Sequence, residues 1–509
     1  MSERRSIVLS EPVQDRKRSQ VAPPKLLFES GSPERSAIDW AAEGDKVESS
    51  IPAHLLRRDI DGFPELGELE VLRHFTGLSQ RNFSIESQFY PLGSCTMKYN
   101  PKINEVVARF PGFAQLHPMA PTEYLQGAMA VLFELEQMLA EVSGMEYVSL
   151  QPSAGAQGEL TGLMMIRAFL SAQGNPRQNI IVPDTAHGTN PASSTLCGYD
   201  VIQISSNDKG IINAAAVEKV MDDSVAAIMI TNPNTLGLFE SNIEAIAQLA
   251  HARGGLVYLD GANLNALMGV AKPGQMGVDV LHMNLHKTFS TPHGGGGPGA
   301  GPVGVKAQLR DYLPVPRVVK SGDRYDLDEN FPKSVGRVRS FLGNFGVLLR
   351  AYTYIISLGG DGLEEASRMA LLNANYIRRK LENSYQLAYT EPCMHECILT
   401  DRIQHKNGVS TLDIAKRLLD YGYHPPTIYF PLVVSGALMI EPTETETPET
   451  LDRFCEAMLA IAQEAQDDPE LVKSAPHSTP VRRLDEARAA RKPVLRWNGN
   501  SRARADVEE

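Results

Sequence analysis

The sequence contains few cysteines and no long hydrophobic run. Its five cysteines are scattered over 509 residues and odd in number, which is unlike the disulfide framework of a secreted protein. No apolar run reaches the roughly 18 residues that a membrane span requires. The first 35 residues mix basic with acidic side chains and lack an apolar core, unlike a secretory signal or a typical transit peptide. These absences predict a protein of the reducing cytoplasm that does not enter membranes.

Excess positive charge is also absent. The chain has 49 basic and 61 acidic residues, for a net charge of −12. Nucleic acids and anionic membrane surfaces require concentrated lysine and arginine, so neither is expected as a partner. Cys393 and Cys397 are spaced as C-x3-C, but no second Cys or His pair follows at zinc-finger spacing. We therefore predict no metal site.

Short apolar segments alternate with helical ones through the middle of the chain. The helical pattern that begins near residue 125 ends at Ser143-Gly144, and six β-rich segments follow. Residues 226–230 are continuously apolar, as expected of a strand covered by helices on both faces. The pattern predicts an α/β fold with a mainly parallel sheet. The predicted strands are 146–150, 179–182, 201–204, 225–230, 256–259 and 280–283.

The length of 509 residues predicts two to four domains. Residues 1–85 are rich in Pro, Ser, Arg and Glu and are predicted to form an N-terminal arm that covers another surface. Residues 86–345 hold the alternating pattern of a large domain, and 346–475, with fewer strands, are predicted to form a smaller C-terminal domain. Residues 476–509 are basic and polar and are predicted to be a solvated tail.

Lys287 is the first candidate for chemistry. It lies in the segment 284–289, directly after a predicted strand and before a glycine run at 294–297. An isolated lysine in such a place is usually a surface residue. In a pocket that favours loss of its proton, however, a lysine can form a Schiff base with an aldehyde cofactor.

Asp260 follows the predicted strand 256–259 and precedes Lys287 by 27 residues. An aspartate at a strand end is often a helix cap. Beside a lysine at an adjacent strand end, it suits a second role, because a carboxylate keeps a pyridine nitrogen protonated and makes the ring an electron sink. The pair predicts a pyridoxal-phosphate enzyme in which Asp260 faces the ring nitrogen.

Three further strand ends carry polar groups. Residues 151–159 place small residues and a serine at the start of a helix, which suits a phosphate group, although a simple capped helix has the same pattern. His187 follows the second predicted strand and can lie flat against a ring, although such a histidine is often only hydrogen-bonded structure. Thr231 begins a polar turn after the fourth strand, suited to contact with cofactor or substrate.

Two other features are open to different readings. Residues 299–304 match the G-x-G-x-x-G pattern of dinucleotide binding, but they follow a glycine-rich loop instead of a strand and lead into extended chain. We therefore predict no dinucleotide site. Arg337 and Arg339 could bind a substrate carboxylate or face solvent.

These segments resemble the pyridoxal-phosphate enzymes of the aspartate aminotransferase fold, known as fold type I. They are most similar to the glycine dehydrogenase (decarboxylating) family, the P-protein of the glycine cleavage system. The resemblance covers roughly residues 70 to 460. Beyond the segments above, it rests on residues 90–101, 341–346, 393–396, 424–427 and 439–444.

The resemblance implies roles for individual residues. Lys287 would hold pyridoxal 5'-phosphate and Asp260 would face its ring nitrogen. His187 would stack on the ring, and His286 would also contact the cofactor. The phosphate would be held by Ser153, Gly155 and Ala156.

It also implies a reaction and partners. Glycine would lose its carboxylate as CO2, and the remaining aminomethyl group would pass to the lipoyl disulfide of H-protein. The length and the lysine-bearing motif resemble subunit 2 of the two-subunit form, which implies a partner subunit 1 and an α2β2 tetramer. The alternatives are another fold type I decarboxylase or aminotransferase, since Lys287 and Asp260 serve all of them, and a non-catalytic assembly subunit.

Overall fold

The computed structural model describes residues 25–31, 51–56, 63–294 and 299–495. The chain divides into two compact units. One comprises Ser84–Leu418 and Tyr423–Lys473, and the other comprises Met1–Phe83, Leu419–Gly422 and Ser474–Glu509. The division into four segments predicted from the sequence stays a prediction. Within the described ranges, no helix has the length and apolar character needed to cross a membrane.

The larger unit contains a seven-stranded sheet. Its strands run parallel, except that β7 is antiparallel to both of its neighbours. The spatial order is β1-β7-β6-β5-β4-β2-β3. The strands are β1 (Tyr147–Ser149), β2 (Asn179–Pro183), β3 (Asp200–Ile204), β4 (Val225–Thr231), β5 (Leu256–Gly261), β6 (Val280–Met283) and β7 (Val303–Val305).

All six strands predicted from the sequence are confirmed. Residues 226–230 of β4 are each 0% exposed, so this strand is covered on both faces. Alternate residues of β4 enter different clusters, Ile228 in one and Met229 in the other. The continuous apolar runs therefore reflect helices packed on both sides of a parallel sheet. The dinucleotide-like segment 299–304 leads into β7 and not into a helix, as expected.

Helices cover the two faces of this sheet and connect its strands. The predicted helix near residue 125 runs to Ser143 and ends at Gly144, which adopts a left-handed conformation with φ of 69°. The described α-helices are α1 (Glu68–Ser79), α2 (Lys102–Ala108), α3 (Pro111–Ala114), α4 (Gln126–Ser143), α5 (Gly155–Ala172), α6 (Thr189–Leu196), α7 (Ala214–Val220), α8 (Ile243–Ala252), α9 (Leu285–Thr288), α10 (Phe345–Leu381), α11 (Thr411–Asp420), α12 (Pro448–Asp467), α13 (Pro469–Lys473) and α14 (Glu486–Arg491).

Helix α5 approaches the sheet closely because one of its faces lacks side chains. A Cβ atom on Gly155 would lie 2.2 Å from the Asn284 amide oxygen, and one on Gly162 would lie 2.5 Å from Cε2 of Tyr258. Both distances are too short for any side chain. The glycines of α5 thus bring the N-terminus of this helix to the strand ends that hold the predicted site.

A second, four-stranded antiparallel sheet belongs to the same unit. The second half of α10 precedes this sheet in the sequence, and α12 follows it. Helix α10 is kinked at Gly359, whose φ of 65° and ψ of −176° are accessible essentially only to glycine. Strands β8 (Arg317–Ser321) and β9 (Arg324–Asp328) form a separate hairpin. The four-stranded sheet consists of β10 (Gln386–Leu387), β11 (Cys397–Thr400), β12 (Thr427–Ile428) and β13 (Ala437–Ile440). Their spatial order is β10-β11-β13-β12.

The smaller unit contains α1 and α14. Helix α1 exposes Leu69, Leu72 and Phe75 to more than half of their full extent, and none of its residues is buried. Most of the arm predicted at residues 1–85, including 1–24 and 32–50, lies outside the described residues. The apolar face of α1 is consistent with the predicted covering role, which stays a prediction.

Candidate active site

Lys287 lies at the carboxyl end of β6. Strand β6 ends at Met283, and the four-residue helix α9 begins two residues later. The backbone N–H of Lys287 donates to the Asn284 carbonyl at 3.1 Å, and the lysine side chain is half-buried. Lys287 is thus placed at a strand end by one short helical turn, as predicted.

Asp260 lies on the neighbouring strand, β5, and is 4% exposed. Its carboxylate accepts hydrogen bonds from the side chain of Asn190 and from the backbone N–H of Ala262, each at 3.0 Å. His282, opposite Asp260 in the β5–β6 register, places Nε2 3.3 Å from Oδ1 of Asp260. A buried carboxylate thus lies at the strand end beside Lys287.

The environment of Asp260 favours its charged form. Burial pushes the pKa of this carboxyl upward, but His282, the Asn190 and Ala262 hydrogen bonds and the nearby Lys287 together lower the pKa below its ordinary value. Asp260 is therefore an anion at neutral pH. A cation or a protonated ring nitrogen would find a fixed negative charge here.

The segment before α5 forms a loop at the helix N-terminus. Ser153 is half-buried, and both its hydroxyl and its backbone N–H donate to Oε1 of Gln157 at 2.7 Å. Gly155 begins the helix, and Ala156 is exposed. The positive end of the helix dipole is therefore open to an anion beside Ser153.

His187 lies between β2 and α6 and is exposed. Its Nδ1 lies 2.9 Å from the oxygen of the Thr189 hydroxyl, whose proton is donated to Glu159 at 3.0 Å. On its other side, the ring meets Phe430 edge-on, with centroids 6.0 Å apart. The proximity of His187 contributes to a lowered pKa of His282, whose main cause is burial. His187 therefore borders the same space as His282 and Asp260.

The remaining predicted residues border this space as well. Thr231 ends β4 opposite Asp260 in the β4–β5 register. His286 lies beside Lys287 and forms an edge-on contact with His293 at 5.5 Å. Burial, together with His293 and Lys287, lowers the pKa of His286 to about 4, so this ring is neutral. The eight residues predicted from the sequence thus gather at one edge of the seven-stranded sheet.

Several buried polar atoms at this edge lack a hydrogen-bond partner among the described residues. They include the hydroxyl of Thr231, Oδ1 of Asn284, Nε2 of His293 and both ring nitrogens of His395. Such groups are rare in folded proteins because each costs free energy unless something binds it. Their concentration around Lys287, opposite the open N-terminus of α5, fits a polar ligand with an anionic group.

A second group of residues faces Lys287 from the four-stranded sheet. Glu396 accepts the backbone N–H of Ser94 at 3.0 Å, and Glu441 accepts the backbone N–H of Thr96, also at 3.0 Å. Burial, and then Glu441, raise the pKa of Glu396 well above its usual range, while Lys287 opposes the rise. Two buried glutamate side chains therefore hold the loop on either side of Cys95.

Arg337 and Arg339, the two candidates for binding a substrate carboxylate, differ in their surroundings. Arg337 pairs with Glu329 on the surface at 2.5 Å. Arg339 keeps Nε buried and without a partner among the described residues, and it adjoins Val338, whose carbonyl accepts a hydrogen bond from Gln157. Of the pair, Arg339 is the one available to an anion near Ser153.

An apolar cavity of about 620 Å³ lies near the site. Pro292 and Asn344 line it, and Asn344 also donates to the carbonyl of Ser153 at 3.3 Å. Arg350 and Glu105, joined by two hydrogen bonds of 2.7 and 2.8 Å, stand at its wall. The cavity offers space for a hydrocarbon group close to the polar site.

Sequence reasoning missed several residues of the site. Tyr258 and His282 lie within predicted strands, where only their burial was expected. Glu159 lies inside a helical pattern. His395, Glu396 and Glu441 belong to segments that carry the resemblance, but no role was assigned to them. A polar residue inside an otherwise apolar strand is the one signal that could have revealed His282.

Comparison with family models covers most of the chain. Residues 38–328 match the model described as glycine cleavage system P-protein, and residues 366–479 match the C-terminal domain of glycine dehydrogenase. The first match alone spans more than half of the chain.

Individual relatives agree with these models. The chain is 58% identical to a probable glycine dehydrogenase (decarboxylating) subunit 2 of Caldanaerobacter subterraneus, over 89% of this chain and 94% of that relative. It is 56% identical to a protein of the same description from Halalkalibacterium halodurans, over 93% and 98% of the two chains.

Solved structures share the fold. A glycine decarboxylase (P-protein) of the glycine cleavage system in inhibitor-bound form matches with a TM-score of 0.68 and 22% identity, covering 81% of this chain and 93% of that one. An aspartate aminotransferase from Thermus thermophilus matches with a TM-score of 0.54 and 13% identity, covering 74% and 99%. The predicted aspartate-aminotransferase-like fold is thus confirmed. From the family models and the close relatives together, the chain belongs to the P-protein family of the glycine cleavage system, among its glycine dehydrogenase (decarboxylating) subunits 2.

Proposed function

We propose that this chain binds pyridoxal 5'-phosphate at Lys287, decarboxylates glycine, and passes the remaining aminomethyl group to the lipoyl arm of an H-protein. The observation that carries the proposal is the buried, ionised Asp260 on the strand next to the one that Lys287 follows. This pairing is what a covalently held pyridine cofactor requires. Membership of the P-protein family supports glycine as the substrate.

The residues present fit the cofactor. Lys287 would hold it covalently through Nζ, and Asp260 would keep a proton at the ring nitrogen. The open N-terminus of α5, with Ser153, Gly155 and Ala156, would receive the phosphate. The unpartnered hydroxyl of Thr231 would gain a partner from the bound cofactor.

When bound, this cofactor draws electrons from the carbon that loses CO2. The chain itself contributes charge and orientation. Asp260 supplies a fixed negative charge in a buried place, where it acts strongly because little water screens it. His187, held by Thr189, would support one ring face, while His286 stays neutral beside Lys287 and so adds no competing positive charge.

The apolar cavity beside Asn344 supports transfer to a lipoyl group. A lipoyl arm carries a hydrocarbon chain, and the cavity wall offers Leu125, Met129 and Phe345 to it. We propose that the arm passes through this space.

Partners follow from the same proposal. The relatives are described as subunit 2, which supports a partner subunit 1, and we propose an α2β2 tetramer with it. We place the protein in the cytoplasm, which the five unpaired cysteines support.

A Lys287→Ala variant tests the cofactor assignment. Purified wild-type protein should be yellow with bound cofactor, and the variant should lose both the colour and glycine decarboxylation. Lys272→Ala is a matched control, since Lys272 pairs with Glu141 away from the site. Full activity in Lys287→Ala would overturn the assignment.

Exchange of labelled bicarbonate into the carboxyl group of glycine tests the reaction and its partners. We expect exchange only when subunit 1 and lipoylated H-protein are both present. Exchange that needs neither partner would contradict the two-subunit proposal. Absence of exchange under all conditions, with transamination or decarboxylation of another amino acid, would indicate a different fold type I enzyme.

A further inference from the structure

We propose that Tyr258 and His282 form a hydrogen-bonded relay that orients the Asp260 carboxylate and maintains its negative charge. The proposal rests on the function proposed above, because Asp260 is taken to face the cofactor ring. Tyr258 and His282 are positioning residues, since they act through Asp260.

The relay is built by strand register. Tyr258 and Asp260 are two residues apart on β5, so their side chains point to the same face of the sheet. His282 lies opposite Asp260 on the parallel neighbour β6. The Tyr258 hydroxyl is 2.7 Å from Nδ1 of His282, and Nε2 of His282 is 3.3 Å from Oδ1 of Asp260. The side chains of Tyr258, His282 and Asp260 thus form a continuous series of close polar contacts.

The protonation states of Tyr258 and His282 determine which group donates a hydrogen bond to which. Burial, and then Glu159 and Asp260, raise the pKa of Tyr258 well above its usual range, so its hydroxyl keeps its proton. Burial lowers the pKa of His282, although Asp260 opposes this, so the ring is neutral. The hydroxyl of Tyr258 therefore donates to Nδ1, which leaves the single ring proton on Nε2, facing Asp260.

Asp260 depends on this donor because it is buried. A carboxylate away from water stays ionised only if nearby donors replace its hydration. Asn190 and Ala262 donate two hydrogen bonds to this carboxylate, and Nε2 of His282 lies 3.3 Å from its Oδ1, where it can act as a third donor. The His282 donor is set by a further residue, since the contact with Tyr258 at Nδ1 determines which ring nitrogen carries the proton.

The packing of α5 holds the relay in place. Gly162 leaves room for the ring of Tyr258, which would lie 2.5 Å from a Cβ at that position. A Cβ atom placed on Gly158 would lie 3.2 Å from the Cβ atom of His282. Both relay residues are essentially fully buried. This close packing supports a single orientation of both rings, in which Nε2 of His282 faces Asp260 before the reaction begins.

The test compares Tyr258→Phe and His282→Leu with Tyr385→Phe as a matched control. Tyr385 is also fully buried, and its hydroxyl donates to the Met458 carbonyl at 2.8 Å, in the region of the four-stranded sheet. Each holoprotein would be assembled with subunit 1 and lipoylated H-protein. The measurements are the pH titration of the cofactor absorbance, kcat and KM for glycine, and Tm.

We expect Tyr258→Phe to lower kcat about tenfold with little change in KM. We expect His282→Leu to lower kcat up to about a hundredfold, since the N–H group that faces the charged Asp260 is lost. We also expect the midpoint of the absorbance titration to rise by about one pH unit. If Asp260 held the proton on the cofactor's pyridine nitrogen less well, that ring would carry less positive charge. It would then withdraw fewer electrons from the nitrogen that joins it to Lys287, and this nitrogen would keep its proton to higher pH. Tyr385→Phe should change only Tm.

The proposal is overturned if Tyr258→Phe has the wild-type titration midpoint and kcat. Should His282→Leu fail to fold, Tyr258→Phe alone decides. Failure of the relay is distinguishable from failure of the proposed function, because in the second case Lys287→Ala would keep the cofactor band or the activity.

Discussion

Thr96 donates both its backbone N–H and its hydroxyl to the Glu441 carboxylate, at 3.0 and 2.7 Å, across 345 residues of sequence. Thr96 and Ser94 both adopt left-handed conformations, with φ of 51° and 62°, which are unfavourable for residues other than glycine. The loop keeps this shape because Glu441 and Glu396 bind its N–H groups. Backbone strain of this kind is typical of functional sites.

Glu441→Gln should loosen this loop, because the amide provides one acceptor oxygen and no charge. We expect Cys95, which lies between the two held residues, to react about tenfold faster with a thiol reagent, since charged hydrogen bonds of about 1.5–3 kcal/mol are weakened. The other four cysteines are buried. The measurement is the rate of thiol modification, with Glu441→Gln/Cys95→Ser as the control that should lose the fast phase. An unchanged rate would mean that Glu441 does not restrain the loop.

His395 presents a different case, because both of its ring nitrogens lack hydrogen-bond partners among the described residues although the side chain is only 2% exposed. Its Nε2 lies 3.9 Å from Oε2 of Glu396. Burial lowers the pKa of this ring, so it is neutral. We expect His395→Leu to keep or raise Tm, since an unpaired buried polar group is removed, and to lower kcat/KM for glycine at least about tenfold. Both are measurable on one preparation, by thermal unfolding and steady-state kinetics. A variant that is less stable but fully active would assign His395 a structural role.

Glu159 should make stability depend on pH. Burial, and then Asp260, raise its pKa to about 7 from an ordinary 4.5. The folded protein then binds more protons than the unfolded chain between these values, so its free energy of unfolding falls as pH rises from about 5 to 8. Glu240 and Glu446, also with pKa values of about 7, contribute in the same direction.

In wild type the free energy of unfolding should fall between pH 5 and pH 8, and Glu159→Gln should make this fall smaller by about 2–3 kcal/mol. Relative to wild type, the variant should be most stabilised at pH 8. The measurement is the free energy of unfolding at pH 5 and pH 8. Glu141→Gln removes an exposed carboxylate and serves as the control. Equal pH dependence in wild type and Glu159→Gln would contradict the assignment.

The sequence predicted six of the seven strands of the large sheet, and it did so best where a strand is buried on both faces, as in β4 and β5. Runs such as 226–230 contain only apolar residues, so their ends are evident, and the polar residues that follow mark the edge where the site lies. Lys287 and Asp260 were found in this way. Their proximity follows from the topology of parallel strands, which requires no knowledge of distant contacts.

The rest of the site depends on contacts that local patterns do not contain. The bonds from Ser94 to Glu396 and from Thr96 to Glu441 link a loop to strand ends of another sheet more than 300 residues later. The role of His282 depends on the register of β5 and β6, since a shift by one residue would turn its side chain to the other face. These groups are brought together by tertiary contacts and strand register, which the local sequence does not reveal.

Lys98 provides the last test, because it is a buried ammonium fully enclosed by acceptors. Its Nζ donates to Glu444 and Asn265, each at 2.8 Å, and to the Tyr354 hydroxyl at 3.2 Å, while 1% of its side chain is exposed. Burial alone would lower the pKa of Lys98, but Glu444 and Tyr354 raise it above the usual value, so the ammonium stays charged.

Lys98→Met should destabilise the protein by about 3–5 kcal/mol, because it leaves the Glu444 carboxylate buried without its counter-charge. The double variant Lys98→Met/Glu444→Gln should be more stable than the single one, since it removes the isolated charge together with its partner. Denaturant unfolding of the four proteins of this double-mutant cycle gives the coupling energy. If the losses of stability in the two single variants simply added up in the double variant, the coupling energy would be zero and each residue would contribute independently. Lys98 would then hold the loop after Thr96 by packing and not by charge.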